Sequence, residues 1–75
     1  MLTIGERAAH LIRVKATMKG ISIDKECECI GTNRKVYQDW RHCGRNPTAY
    51  FLQQMALAGY DVIWILTGKE THNEN

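Results

Sequence analysis

Seventy-five residues with a formal net charge of +2 form one small domain, with an expected radius of gyration of roughly 11 Å. Such a chain buries only about 60% of its unfolded surface. It has no room for a large enclosed cofactor pocket, which argues against a stand-alone enzyme. The hydrophobic fraction of 44% and charged fraction of 24% are those of an ordinary globule and exclude a disordered chain.

The longest apolar run, Val62 to Leu66, is far too short to cross a membrane. Met1-Leu2-Thr3-Ile4 runs directly into charged Glu6 and Arg7, unlike a secretory signal. The three cysteines, Cys27, Cys29 and Cys43, are an odd number for a disulfide framework and suit a reducing cytoplasm. On a helix, Cys27 and Cys29 point about 200° apart and cannot share one metal ion. No metal and no cofactor is therefore expected.

Thr3-Ile4-Gly5-Glu6 reads as a capping box opening a first helix. Ile4, Ala8, Leu11 and Ile12 then recur at helical spacing, and Gly20 closes the element. Val14 falls off that stripe and has no assigned place. Ser22 caps a second helix with Asp24 in its first turn, where the helix dipole favours an acid. After Gly31, Thr32 or Asn33 caps a third helix running to about His42, with Gly44 supplying the stop and Pro47 just beyond. Thr48 caps a fourth helix carrying Phe51, Leu52, Met55 and Ala56 and ending at Gly59. Asp61 caps a fifth, Val62 to Leu66, closed by Gly68. Val-Ile-Trp-Ile-Leu is also an excellent strand by propensity, but it would be the only strand in the chain, with nothing to pair. The polar tail, 70–75, is expected to fray.

Residues 21–47 are the most informative stretch, with the helix-turn-helix at about 22–42. Ile23, Cys27 and Ile30 before Gly31, and Val36 or Tyr37 with Trp40 after it, can share one core only if the chain turns sharply. Glycine allows the positive φ of such a turn. With that core set, Asn33, Arg34, Lys35 and Gln38 are left on the outer face of the third helix. This arrangement of helices is how a small protein lays one helix into the DNA major groove. From Asn33 to Arg45 there are four basic residues (Arg34, Lys35, Arg41, Arg45) against one acid, Asp39. A weak overall charge with a basic third helix fits a site-specific DNA binder.

The chain resembles the Cro and CI-repressor type of helix-turn-helix domain found in phages and prophages. The likeness covers residues 4–69. It is carried by Ile21-Ser22, Ile30-Gly31-Thr32, Asp39-Trp40-Arg41 and Gly44-Arg45-Asn46-Pro47. The ending, Gly59-Tyr60-Asp61-Val62-Ile63-Trp64-Ile65-Leu66-Thr67-Gly68, looks like the Gly-Val-Asp-x-x-Trp-Leu-Leu-Thr-Gly close of phage repressor domains. The resemblance implies an all-α, compact five-helix bundle of the lambda-repressor-like kind, with the helix-turn-helix domain spanning 1–69. It implies a bacterial, phage- or prophage-encoded regulator that binds double-stranded operator DNA as a homodimer and represses by occlusion. Base or phosphate contacts would fall on Asn33, Arg34, Lys35 and Gln38, with Thr32 and Arg41 on the backbone. The chain departs from the pattern where a glutamine commonly opens the second helix (Ile23 or Asp24 here). It departs again where Glu26 replaces an apolar residue, and in the absence of a following sensor domain, so no small-molecule effector is expected.

Trp40 could stack on single-stranded bases, but its spacing from Val36 and Tyr37 places it in the core. Its replacement by alanine should cost about 3–5 kcal/mol. His10 and His42 have no nucleophile or carboxylate placed beside them by spacing and read as surface residues. The fifth helix is apolar all round, so one stripe faces its own core and another must go elsewhere. A twofold interface with Ile63, and Tyr60 or Thr67, at its centre is the expected use; the alternative is an over-hydrophobic terminal helix tucked under the first. Two rival classes remain. One is an antitoxin-type protein of the same fold, whose main partner is a toxin. The other is a helical adaptor using Asp24, Glu26 and Glu28 as its interaction face.

Overall fold

A side chain able to accept a backbone N–H stands before every helix of the computed structural model, which describes residues 1–69. In α1 (Ile4–Lys19) the capping box is complete: Glu6 N–H donates to Thr3 Oγ1 at 3.1 Å, and Thr3 N–H donates to Glu6 Oε1 at 2.8 Å. Ser22 receives the Lys25 N–H at the start of α2 (Ile23–Cys29), and Asn33 receives the Val36 N–H at the start of α3 (Arg34–His42). Thr48 and Asp61 do the same for α4 (Ala49–Leu57) and α5 (Val62–Thr67). These bonds satisfy donors that have no partner inside the helix. Among the described residues the chain is all-α, with five helices and no strand. Val62 to Leu66 is helical, as expected. The tail expected to fray lies outside the described residues.

α1 is the central element and packs against α2, α3 and α5, while α4 lies on α5. Ala8, Ala9 and Ile12 of α1 meet Cys27 and Ile30, Tyr37 and Trp40 of α3, Met55 of α4 and Ile65 of α5 in one core. Trp40 and Tyr37 are buried as expected, and Phe51 meets the Trp40 ring edge-on with centroids 5.8 Å apart. The radius of gyration is 11.7 Å. Val14 is exposed beside Met18 on the outer face of α1.

Two polar side chains inside this core escaped sequence reading. Arg7 is buried on α1 and its guanidinium donates to three carbonyls: Ile65 O at 2.8 Å, Leu2 O at 2.6 Å and Leu66 O at 3.3 Å. It thereby covers acceptors at the end of α5, where a cation also suits the helix dipole. Glu26 is fully buried on α2. Its Oε1 accepts from Lys19 Nζ at 2.8 Å and its Oε2 from the Tyr60 hydroxyl at 2.5 Å. Lys15 adds a fourth group here, donating to Ala58 O at 3.0 Å with its ammonium 4.6 Å from the Tyr60 ring centroid.

Gly5 is a close-approach site. A Cβ there would lie well inside contact distance of the Arg45 carbonyl oxygen and 3.0 Å from Trp40 O. The Gly5 N–H donates to Asn46 Oδ1 at 3.0 Å. The start of α1 is thus seated on the α3–α4 connection, backbone against backbone. No helix among the described residues is long and apolar enough to cross a membrane.

Candidate nucleic-acid interface

α2 ends in a tight turn. Gly31 adopts φ +78°, Gly31 N–H donates to Glu28 O, and Thr32 N–H donates to Cys27 O at 2.9 Å. That pair of bonds closes the helix terminus around a left-handed residue. α3 then starts two residues later, at Arg34. Tyr37 and Trp40 face inward, Val36 is half-buried, and Arg34, Lys35, Arg41 and His42 are exposed. Arg34, Gln38 and Arg41 recur at i, i+4 and i+7, so they share the outward side of the helix.

The predicted contact residues do not all stand free on that side. Thr32 is a correction: its side chain is buried in the turn before α3 and does not stand on the outer face with the other contact residues. Asn33 is the N-cap, which resolves the choice between Thr32 and Asn33 and commits its Oδ1 to Val36 N–H at 3.0 Å. Its Nδ2 is left to donate outward. Arg34 reaches back to Asp24 of α2 at 3.4 Å, and Lys35 lies 3.7 Å from Asp39 one turn on. Both are surface pairs, worth about 0–1 kcal/mol, and an incoming phosphate can displace either acid. Gln38 is half-buried and Arg41 is exposed. Arg41 has no ion-pair or hydrogen-bond partner among the described residues.

On α5 the outward stripe is Ile63 and Leu66, 51% and 43% exposed, while Ile65 is fully buried. Thr67 is exposed, and its hydroxyl donates to Ile63 O at 2.7 Å and accepts from Lys69 N–H. Tyr60 does not join this stripe. It is buried, with its hydroxyl on Glu26, because the turn after α4 points its ring under α1. Burial and the bond to Glu26 raise its pKa, so the hydroxyl keeps its proton. Glu26 likewise cannot join Asp24 and Glu28 in an outer acidic face, since it is enclosed between α1 and Tyr60.

The missed carboxylate had a legible signal. Ile23, Glu26, Cys27 and Ile30 are spaced i, i+3, i+4 and i+7, which is one buried helix stripe with an acid in it. Arg7 sits likewise beside Ala8, within a turn of Ile4 and Leu11. Cys27 and Cys29 take opposite environments, one buried and the other exposed. Burial pushes the Cys27 thiol up to about 11, so it stays protonated at neutral pH. Comparison with known proteins finds no family model, no curated protein and no solved structure that matches this chain.

Proposed function

We propose that this chain is a sequence-specific, double-stranded DNA-binding transcription regulator of the Cro-like phage or prophage type. The reading rests on one observation above all: α3 is locked to the core by Tyr37 and Trp40 and turns Arg34, Lys35 and Arg41 to solvent behind the Gly31 turn. Arginine and lysine at these positions can pair with guanine edges or phosphates, and Gln38 with adenine. Asn33 contributes through its Nδ2 alone, and Thr32 drops out of the contact set. The dimer belongs to the proposal as well, with Ile63 and Leu66 rather than Tyr60 at its centre. Two copies joined there would present two recognition helices about 34 Å apart, one DNA turn. Such a dimer would act by covering an operator, its occupancy set by protein concentration.

The test is selection of random duplex DNA on the purified protein at two salt concentrations, read by sequencing. A palindromic motif with half-sites one turn apart supports the reading. No enrichment by a folded sample overturns it. The exposed Ile63 and Leu66, together with Leu57 at 77% exposure, favour the antitoxin-type alternative as the second reading, because apolar side chains on the surface suit a protein partner. Salt dependence separates the two: phosphate contacts weaken steeply with salt, and apolar ones hardly change.

A further inference from the structure

The flank between α1 and α3 carries a pair of arginines, Arg13 and Arg41, the second of which also borders the proposed DNA face. Glu6, His10 and Arg13 follow one another along a single side of α1 at i, i+4 and i+7. Tyr37, Arg41 and His42 stand opposite on α3, and together they line a cleft of about 220 Å³. Arg13, like Arg41, has no ion-pair or hydrogen-bond partner among the described residues. Glu6, the one acid, already accepts the Thr3 N–H through Oε1. His10 is positioned by its ring contact with Trp64, with centroids 6.0 Å apart. Tyr37 is only 1% exposed and its hydroxyl has no hydrogen-bond partner. Buried hydroxyls in native proteins are nearly always bonded.

We propose that this cleft is an oxyanion site for a single phosphate group, held between the Arg13 and Arg41 guanidiniums with the Tyr37 hydroxyl as a third donor. Chemistry decides the class, and the cleft of about 220 Å³ has room for a phosphate group. Guanidinium forks match the tetrahedral oxyanion in pairs, a geometry a lysine cannot offer. The phosphate has two sources, a free phosphate ester or a phosphodiester of bound nucleic acid. The site does not depend on the DNA reading, because its primary test contains no DNA.

The experiment is a titration of the nitrogen-15-labelled full chain with inorganic phosphate at constant ionic strength, with chloride as the control, followed by NMR. The expected result is a saturable shift of the Tyr37 and Arg41 amides and the Arg13 Nε–H that chloride does not reproduce. Arg13→Gln, an exposed change that leaves the core intact, should weaken phosphate binding about tenfold, and Tyr37→Phe about threefold. A linear response, an equal response to chloride, or indifference to Arg13→Gln overturns the proposal. A second arm adds non-specific duplex DNA. Competition between duplex and phosphate assigns the site to a DNA phosphodiester. Simultaneous binding assigns it to a free phosphate, and both results uphold the oxyanion site. If random-duplex selection fails while phosphate still saturates, the regulator reading falls and the oxyanion site stands.

Discussion

Glu26 shows how one residue sets a dependence on pH. Burial works to raise its pKa, but the bonds from Lys19 and Tyr60 and the charges of Lys19 and Lys15 outweigh that, and the net shift is downward. A carboxyl whose folded pKa lies below its unfolded value of 4.5 stabilises the fold above that pH. It loses this contribution as the pH falls through the folded pKa. The stability of the parent against urea should therefore fall from neutral pH to below pH ~4, and Glu26→Gln should flatten that part of the profile. At neutral pH the same substitution should cost about 1–3 kcal/mol, since a buried hydroxyl and an ammonium lose a charged acceptor. An unchanged acid limb would show that Glu26 does not carry it. Trp40→Ala should cost about 3–5 kcal/mol, most of what a domain this small has to lose.

At the scale of elements, two seams hold α1 in place. At its start, Gly5 meets the α3–α4 connection with no room for a methyl group. Gly5→Ala should lower stability by at least about 3 kcal/mol, because backbone rather than a pliable side chain stands in the way. In a domain of this length that corresponds to a drop in Tm of more than about 10 °C, readable by circular dichroism. Two residues on, Arg7 ties α1 to the end of α5 through Ile65 O and Leu66 O. Arg7→Met keeps the aliphatic stem but strands those carbonyls. It should cost about 1–3 kcal/mol and release α5 first, seen as faster amide exchange confined to residues 62–68.

For the whole molecule, the proposed function separates binding from folding. Arg34 is exposed and its pair with Asp24 is weak, so Arg34→Ala should leave Tm nearly unchanged while weakening operator binding by about 1–3 kcal/mol. Equal loss of both would undo its assignment to the DNA face. Ile63→Asp should shift sedimentation from dimer to monomer and leave the monomer folded, because Ile63 is not part of the core. A parent that sediments as a monomer would end the interface.

What could be read from the chain by itself was what depends on near neighbours. Thr3, Ser22, Asn33, Thr48 and Asp61 each cap the helix that follows by accepting from a residue three positions on. Gly31 takes its positive φ because the apolar residues on either side must meet. The caps lie within one turn and the residues that meet about Gly31 within two successive helices, so five helices and the Tyr37–Trp40 anchor were legible, and with them the outward set Arg34, Lys35 and Arg41. Tertiary structure alone decided the rest. Tyr60 finds its acceptor 34 residues away, Gly5 is seated on a loop 41 residues away, and Arg7 caps a helix 58 residues away. Such partners leave no periodic trace. They turned Tyr60 inward, hid Glu26 and Thr32, and left Arg13 facing Arg41 across a cleft, because the packing of whole helices, not local propensity, determines which polar groups meet.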